Sequence, residues 1–436
     1  MNKPITLFWH RRDLRVHDNR GLYESLQGTA PVQPIFIFDT HILVLLPSQD
    51  ARVQFIHKVV TELKEDYRRL GSDLWVFYGK PEQVFQDIIN SFSVHEVYTN
   101  QDFEPYAVSR DQKVKDLLAG KGVLWHAYTD HVILDYTRVL KDDGKPYTVF
   151  TPYSRKWRKV LGPADTQFYD VKAHVRQLNP NIQDMLVPSL EQMGFKSFAF
   201  DYPKPEVNTE LISEYSQSRN FPALPGTSKL GIHFRFGTLS VREYVRTFMD
   251  VNTTWISELI WRDFYAQILA HFPHVKERAF KPEYEGIVWR NNQEEFERWK
   301  EGKTGVAIVD AGMRELNNTG FMHNRVRMIV ASYLCKNLLI DWRWGEAYFA
   351  EKLLDFDLAS NNGGWQWAAG SGVDAAPYFR IFNPALQTQK FDPKAIYIKK
   401  WVPEFESLAY AQSVIIDHPT ARERCLNVYK QGLGKS

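Results

Sequence analysis

The N-terminal third of the chain alternates short apolar runs with stretches in which apolar residues recur every three or four positions. The apolar runs are rich in branched and aromatic side chains, as buried strands are. Between the second and third runs, Val53, Ile56 and Val60 follow a helical spacing. Strands that alternate with helices predict a parallel sheet covered by helices on both faces. The five predicted strands are ITLFW, VQPIFIF, LWVFY, HEVYT and VLWHAY.

The periodicity weakens from about His131 to Phe200, where five prolines interrupt the chain. This pattern predicts a long connector with short helical pieces. Helical spacing then returns and continues to the end of the chain. We therefore predict a doubly wound α/β domain at residues 1–132, a connector at 133–203 and an all-α domain at 204–436.

The length and composition narrow the possible classes of protein. A chain of 436 residues exceeds one ordinary core, so two or three domains are expected. Aromatic residues make up 14%, an excess that is compatible with binding flat ligands. The net charge of +2 indicates no nucleic-acid partner by itself, so any DNA affinity requires a local basic surface. Cys335 and Cys425 are too few for a disulfide framework or a four-cysteine cluster, which indicates a reducing compartment.

The N-terminus MNKPITLFWH has no apolar core before a small-residue cleavage site, and no run of 18 apolar residues occurs. We therefore expect a cytoplasmic protein with no membrane partner.

The segment from Asp355 to Pro384 combines acids, amides, glycines and tryptophans with few of the Lys and Glu residues of surface helices. Amides and carboxylates with fixed hydrogen-bonding directions, beside glycines that admit close approach, suit a planar ligand with polar edges. If Trp365 to Ala369 is helical, Trp365 and Trp367 lie about 200° apart around the axis, so one indole can face a ligand. The simpler alternative is that both indoles fill the core.

Two motif matches in this segment are accidental. The GxGxxA pattern at Gly370 resembles a dinucleotide fingerprint, but a Trp-rich helical stretch precedes it instead of a strand. The start at Asp355 resembles a calcium loop, but Ala359 and Ser360 occupy positions that need a ligand and a turn glycine. We predict no metal site.

Several stretches together resemble the photolyase and cryptochrome family, specifically its class I cyclobutane pyrimidine dimer photolyases. They cover nearly the whole chain. The resemblance implies that the helical domain binds FAD, that the partner is ultraviolet-damaged DNA, and that light drives electron transfer from reduced FAD to the dimer. A monomer is expected. The stretches are FWHRRDLRVHDN, SELIWRDFYAQ, WKEGKTGVAIVDAGMRELNNTGFMHNRVRM, LLIDWRWGEAYF, NNGGWQWAA and DAAPYFRIFNP.

The resemblance implies two groups of FAD-binding residues. The stretch GTSKL would hold the phosphates, although alone it is a weak signal and an ordinary turn is the simpler reading. Gly231 replaces a serine that relatives often carry, so one hydroxyl contact fewer is expected. Near the isoalloxazine, Arg327 would pair with Asp355 and Asn361 would face the flavin N5. The implied cofactor ligands are Tyr215, Thr227, Ser228, Lys229, Leu230, Asn324, Arg327, Asp355, Asp357 and Asn361.

Glu258 and Trp261 are three residues apart and share a helix face. Without the resemblance, a surface glutamate beside a buried tryptophan is an equally good interpretation. By resemblance, Glu258 would hydrogen-bond the damaged bases and Trp261 would stack on the dimer. The implied substrate-binding residues are Glu258, Trp261, Asn324, Met328 and Trp367.

The resemblance also implies a relay of Trp365, Trp342 and Trp289 that passes electrons from the surface to the flavin. Asn361 bears on the choice between repair and signalling, because a neutral amide does not readily supply a proton, whereas plant signalling cryptochromes usually carry an acid there. We therefore predict dimer repair. The alternatives are a photosensory cryptochrome, repair of (6-4) photoproducts and the single-strand-preferring DASH group.

The turn after the first strand, HRRDLRVHDN, contains no glycine-rich phosphate loop. Its Arg11, Arg12, Asp13 and Arg15 are most simply a salt-bridged structural corner. In the family this domain can hold a second, antenna chromophore of the folate or the flavin and deazaflavin type. Because the residues that grip a folate are not reproduced around Asn100 to Tyr106, we leave the antenna unassigned.

Overall fold

The structure is a computed structural model that describes residues 4–181 and 185–434. The described residues form two compact units. The first consists of residues 4–139, 157–205 and 230–249, and the second of residues 140–156, 206–229 and 250–434. The predicted domain boundaries, which divide the chain into three consecutive segments, stay a prediction.

A five-stranded parallel sheet forms the centre of the first unit, as predicted. Its strand order is β3-β2-β1-β4-β5, so the order reverses beside β1, the central strand. Every residue of β1 is buried, because a parallel sheet is covered on both faces. The strands are β1 (Ile5–His10), β2 (Val32–Asp39), β3 (Trp75–Gly79), β4 (Val94–Asn100) and β5 (Leu124–Tyr128).

Helices connect these strands. The longest of them begins after Asp50, whose carboxylate accepts hydrogen bonds from the backbone N–H groups of Arg52 and Val53. The helix predicted from the spacing of Val53, Ile56 and Val60 is therefore confirmed. The helices are α1 (Arg20–Ser25), α2 (Thr40–Leu43), α3 (Ala51–Arg69), α4 (Pro81–Ser91) and α5 (Pro105–Ala119).

The turn after β1 is a salt-bridged corner, as expected. Arg15 donates to the buried Asp130 at 2.7 Å, and Arg12 donates to Glu104 at 2.8 Å. Arg11, Arg12 and their neighbours line a cavity of about 10 Å³ at the carboxyl ends of β1 and β4. That volume is about enough for one water molecule. The position where α/β sheets commonly bind ligands is thus filled by protein side chains in this unit.

The described part of residues 133–203 contains the short helical pieces that the sequence predicts. They are α6 (Phe150–Val160) and two 3-10 helices, Pro163–Asp165 and Val171–Gln177. Four short α-helices follow this region: α7 (Thr209–Ser213), α8 (Tyr215–Ser218), α9 (Gly231–Phe236) and α10 (Val241–Phe248).

Helices make up the remainder of the chain, which confirms the predicted helical C-terminal region. Two 3-10 helices, Pro273–Lys276 and Pro282–Gly286, lie among them. The α-helices are α11 (Thr253–His271), α12 (Gln293–Lys300), α13 (Ala307–Thr319), α14 (Asn324–Ser332), α15 (Trp342–Lys352), α16 (Leu358–Ala369), α17 (Pro384–Phe391), α18 (Ile396–Trp401), α19 (Leu408–Ala411) and α20 (His418–Gly432).

The helical pattern that begins at Asn324 does not continue as a regular α-helix. After α14 the chain forms a π-helix, Tyr333–Leu338, and Leu339 then adopts a left-handed conformation with φ of 54°. All six residues of the π-helix are buried. Periodicity does not reveal this change, because the apolar residues continue at a similar spacing through both helix types.

Candidate cofactor and substrate site

Helix α16 lies at the centre of the candidate site in the second unit, where it packs against α11, α14 and α15. The predicted helical conformation of Trp365 to Ala369 is confirmed. Asp357 caps the helix, because its carboxylate accepts a 3.0 Å hydrogen bond from the backbone N–H of Ser360. Trp365 is buried and Trp367 is half-buried, so the two indoles have different surroundings. These four helices carry most of the residues that the sequence singled out.

Arg327 of α14 and Asp355 form an ion pair. The Nη2 atom of Arg327 donates to the two carboxylate oxygens of Asp355 at 2.9 and 3.1 Å, and its Nε donates to the carbonyl oxygen of Met322 at 2.7 Å. Both side chains remain about a quarter exposed. Because the backbone contact fixes the guanidinium, the pair presents a charged, planar edge of fixed orientation.

Asn361 of α16 faces Glu346 of α15. The Nδ2 atom of Asn361 donates to Oε1 of Glu346 at 2.8 Å and to the backbone carbonyl of Glu346 at 3.1 Å. Burial raises the pKa of Glu346, while the hydrogen bond from Asn361 and the charge of Lys276 act in the opposite direction. The two acceptors fix the amide orientation, because only the NH2 group can face them.

Glu258 of α11 lies in a charged cluster rather than alone on a surface. Its carboxylate forms an ion pair with Arg219, and the hydroxyl of Tyr215 is close enough to favour the ionised form of the carboxyl. Burial raises the pKa of Glu258, and both partners oppose that rise. The structure thus brings together Tyr215, which the sequence assigned to FAD, and Glu258, which it assigned to the substrate.

Trp261 lies one turn after Glu258, and its ring stacks on Phe150. The ring centroids are 3.6 Å apart and the planes differ by 4°. Tyr265, one further turn along α11, lies 5.4 Å away. Phe150 therefore covers one face of the indole that was predicted to stack on the dimer.

The stretch Thr227–Lys229 is a loop beside the end of α8. The hydroxyl of Ser218 donates to the carbonyl oxygen of Gly226 at 3.3 Å, which ties the loop to the helix that carries Tyr215. Lys229 is exposed with φ of 53°, and its Nζ lies 5.0 Å from the ring centre of Phe321. Leu230, the last predicted phosphate residue, is buried in the first unit just before α9.

His323, the N-cap residue of α14, is a polar residue that the sequence did not single out. Its Nδ1 accepts a hydrogen bond from the backbone N–H of Arg325 at 3.1 Å, so Nε2 carries the proton of the neutral ring. Burial lowers the pKa of His323 to about 4, and the charges of Arg327, Arg325 and Lys229 contribute. The buried Nε2 atom has no hydrogen-bond partner among the described residues.

The remaining predicted residues lie near these clusters. Asn324 is exposed at the start of α14, and the Sδ atom of Met328 lies 3.5 Å from Nη1 of Arg325. Trp367 lies 6.3 Å from the ring centre of Phe382.

The predicted relay tryptophans do not form one continuous ring stack. Trp365 lies 4.9 Å from Phe349 and 6.1 Å from Trp299, measured between ring centres. In the described part of the chain, Trp342 makes no ring contact with another aromatic side chain, and Arg343 lies 4.7 Å above it. Trp289 meets Tyr429 at 6.0 Å.

These residues fit a flavin dinucleotide. The charge of Lys229 contributes to the lowered pKa of His323, and the unpartnered N–H of His323 and the Lys229 ammonium are donors that suit a phosphate or a carbonyl oxygen. The Arg327–Asp355 pair and the amide of Asn361 offer donors and acceptors to a planar polar edge. When FAD binds, these groups would hold it.

Gly363 of α16 gives a direct test of the packing that builds this site. A Cβ atom there would lie 2.2 Å from the ring of Tyr265, whereas a Cβ at Gly364 would meet nothing within 4 Å. We expect Gly363→Ala to lower the free energy of unfolding by about 1–3 kcal/mol through overpacking. Gly364→Ala is the matched control and should raise it by up to about 1 kcal/mol through helix propensity. Urea unfolding of both variants measures the difference, and equal midpoints would contradict the close approach.

Residues that sequence reasoning missed include Phe150, Arg219, His323 and Glu346. Their partners are distant in the sequence, and no spacing rule connects them. The single usable signal was Phe150 in the aromatic stretch at the start of α6, which the weak periodicity of that region obscured.

Two family models match the chain. One, described as the FAD binding domain of DNA photolyase, matches residues 255–431, and the other, described as DNA photolyase, matches residues 6–170. Among curated proteins, the deoxyribodipyrimidine photo-lyase of Vibrio cholerae is 37% identical, with 99% of this chain and 100% of that protein covered. The protein of the same name from Synechococcus is 37% identical, with 93% of this chain and 88% of that protein covered.

Solved structures of photolyases and cryptochromes share the fold of this chain. A class III photolyase from Agrobacterium tumefaciens superposes with a TM-score of 0.88 at 30% identity, covering 100% of this chain and 98% of that chain. A cryptochrome from Synechocystis superposes with a TM-score of 0.82 at 26% identity, covering 100% of this chain and 95% of that chain.

The parallel sheet, the helical unit and the matched cofactor domain define an FAD-binding enzyme of the lyase class. The chain belongs to the DNA photolyase family, and its relatives named deoxyribodipyrimidine photo-lyase support a role in DNA repair. Within residues 4–181 and 185–434, no helix has both the length and the apolar character needed to cross a membrane.

Proposed function

We propose that the chain splits cyclobutane pyrimidine dimers in DNA in a light-driven reaction, as a class I photolyase. The observation that carries this proposal is the arrangement on α11, where Glu258 and Trp261 lie one turn apart, both partly accessible. A carboxyl group beside an indole suits a base, because it offers a hydrogen-bonding edge next to a stacking face. The relatives named deoxyribodipyrimidine photo-lyase support the same substrate.

In this proposal the residues of the second unit bind and orient two ligands. The Arg327–Asp355 pair, Asp357 and the amide of Asn361 hold the polar edge of FAD, and Tyr215, Asn324 and the loop Thr227–Lys229 hold its other polar groups. Glu258 and Asn324 hydrogen-bond the dimer, while Trp261, Met328 and Trp367 form the walls around it. Bound FAD, reduced and excited by light, supplies the electron that opens the dimer.

In this proposal, Asn361 does not supply a proton to the reduced flavin. Its NH2 group is engaged by the carboxylate and the backbone carbonyl of Glu346, so its orientation is fixed. A neutral amide donates a hydrogen bond without releasing the proton, because its pKa is far above the physiological range. The position therefore favours a cofactor that stays anionic when reduced.

DNA binding requires the damaged bases to leave the stack. Extrusion costs a few kcal/mol and is least costly where damage has already weakened pairing, which itself gives selectivity. Contacts of basic residues with phosphates should make the affinity fall as salt rises. We further propose that the protein is a cytoplasmic monomer.

The direct test is recovery of thymine absorbance in ultraviolet-damaged oligothymidine mixed with the FAD-loaded, chemically reduced protein. We expect recovery under blue light and none in darkness. If flavin is bound and reduced and absorbance does not recover, the photosensory alternative, which the similarity to the Synechocystis cryptochrome supports, replaces dimer repair. The same assay on a (6-4) photoproduct separates the two kinds of lesion.

The relay of Trp365, Trp342 and Trp289 gives a separate prediction. Trp342→Phe should block blue-light reduction of oxidised flavin in the presence of a thiol reductant, while repair by pre-reduced protein persists. Trp299→Phe is the matched control, because Trp299 is also buried and meets Trp365 at 6.1 Å. Flavin bleaching near the blue absorption band measures both. A block in the Trp299 variant with normal reduction in the Trp342 variant would show that the electron takes the path of ring contacts.

A further inference from the structure

A guanidinium group lies over the indole of Trp342. The central carbon of the Arg343 guanidinium is 4.7 Å from the ring centre. Trp342 is buried, whereas the arginine side chain is partly exposed. A cation over the face of a neutral indole is attracted to it, but an indole that has lost an electron is itself positive. The same contact therefore becomes repulsive when Trp342 is oxidised.

Hydrogen bonds hold the guanidinium of Arg343 in this position. Its Nε donates to the backbone carbonyl of Glu277 at 2.9 Å, and its Nη2 donates to Oε1 of Glu285 at 2.6 Å. Its Nη1 donates to the two carboxylate oxygens of Asp341 at 3.1 and 3.2 Å. Because all three nitrogen atoms are engaged, the group has little freedom to turn away when the indole becomes positive.

Trp289, the outer tryptophan of the proposed relay, has different surroundings. It is half-buried and meets the uncharged ring of Tyr429, with the ring centres 6.0 Å apart. Water can reach part of Trp289 and stabilise a positive charge there, whereas a positive charge on the buried Trp342 meets a fixed guanidinium. These surroundings favour a positive charge on Trp289 over one on Trp342.

We propose that Arg343 raises the energy of oxidised Trp342 and so directs the positive charge outward to Trp289. Each transfer moves one electron inward: Trp342 gives an electron to oxidised Trp365, and Trp289 then gives one to oxidised Trp342. The initial oxidant is photoexcited oxidised flavin, and the final reductant is a thiol. This inference rests on the relay in the proposed function. Arg343 is a positioning residue, because it acts through Trp342.

Two substitutions that remove the same ion pair should have opposite effects. Arg343→Gln removes the cation and leaves the carboxylates of Asp341 and Glu285 without this partner, so oxidation of Trp342 becomes more favourable. Glu285→Gln removes one opposing negative charge and keeps an oxygen that can accept from Arg343, so the same oxidation becomes less favourable. A role confined to the stability of the fold would shift both variants in the same direction.

The experiment follows the absorbance of oxidised tryptophan after a blue flash on protein that carries oxidised FAD, in the absence of thiol. The signal decays as the electron returns through Trp342, so its rate rises with the share of positive charge on that ring. We expect Arg343→Gln to speed the decay roughly three- to tenfold, as the strength of cation–π contacts implies. Glu285→Gln should slow the decay. With thiol present, flavin reduction per absorbed photon should fall in the first variant and rise in the second.

Arg314→Gln is the matched control, since Arg314 also forms a partly exposed ion pair, with Glu404 at 2.7 Å. Its decay should match that of the wild type. Faster decay in both Arg343→Gln and Glu285→Gln, or a decay in Arg343→Gln that is no faster than in the wild type, would overturn the role of Arg343.

The relay itself is tested by Trp342→Phe in the same flash measurement. If this variant forms and keeps oxidised tryptophan as the wild type does, the proposed relay fails, and the role of Arg343 fails with it. If the variant loses the long-lived signal while Arg343→Gln decays like the wild type, the relay stands and only the role of Arg343 fails.

Discussion

Replacing Asn361 by aspartate is expected to destabilise the protein, and the loss should grow as the pH rises. The substitution exchanges an NH2 donor for a carboxylate oxygen that faces Oε1 of Glu346, now at 2.8 Å from Nδ2, and the backbone carbonyl of the same residue. Two carboxylates in one buried place cannot both ionise without a cost, so one pKa of the pair rises strongly. Loss of a buried hydrogen-bond donor alone costs about 1–3 kcal/mol.

The pH dependence follows from that raised pKa. The shared proton is held in the folded state up to a pH well above the ordinary pKa values of aspartate and glutamate, about 4. Its stabilising contribution is therefore fully present below about pH 4 and is lost as the pH rises through the folded-state pKa. Urea unfolding at pH 5, 7 and 8.5 should show a deficit relative to wild type that increases across the series.

A second substitution separates this explanation from a general packing defect. In the double variant Glu346→Gln, Asn361→Asp, the donor and the acceptor change places while the total charge stays the same as in the wild type. Stability should recover in part and the pH trend of the deficit should disappear. A pH-independent deficit in the single variant, unrelieved by the second substitution, would show that Asn361 and Glu346 do not interact in solution.

Some features of this fold could be predicted from the sequence, and others could not. The sheet and the helical part follow from periodicity alone, because strands repeat every two residues and helices every three to four. The ends of α16 were not predicted: Asp357, expected as a cofactor ligand, caps the helix with its carboxylate, and Gly370 ends it with a left-handed φ. The π-helix was not readable, since the apolar spacing of residues 333–338 fits either helix type.

The contacts within the candidate site could be predicted from the sequence only in part. Residue types on one helix, such as Glu258 and Trp261, could be placed on a shared face from their spacing. Partners on different helices could not, because their proximity depends on how the helices pack: Arg219 lies 39 residues before Glu258, and Glu346 lies 15 residues before Asn361. The family resemblance implied one such pair, Arg327 with Asp355. The structure shows this contact. The role of the pair in binding FAD remains a proposal.

Arg327→Met is expected to cost the protein its FAD. Methionine keeps much of the length and apolar volume of the arginine, but it removes both hydrogen bonds to Asp355 and the hydrogen bond to the carbonyl of Met322. Asp355 is then left without its counterion at the proposed flavin edge. If this pair holds the flavin edge, its loss should raise the dissociation constant of FAD at least about tenfold, which corresponds to about 1.4 kcal/mol.

The chain offers a closely matched control for this variant. Arg314 donates through Nε to the carbonyl oxygen of Gly302 at 3.0 Å and through Nη2 to Glu404 at 2.7 Å, and its exposure is almost the same as that of Arg327. Arg314→Met should therefore lower the free energy of unfolding by an amount comparable to Arg327→Met, yet keep FAD. Flavin fluorescence during dialysis measures retention, and urea unfolding of the cofactor-free proteins measures stability. Equal flavin loss in both variants would mean that the cofactor responds to general destabilisation, and that the Arg327–Asp355 pair stabilises the fold without holding the flavin.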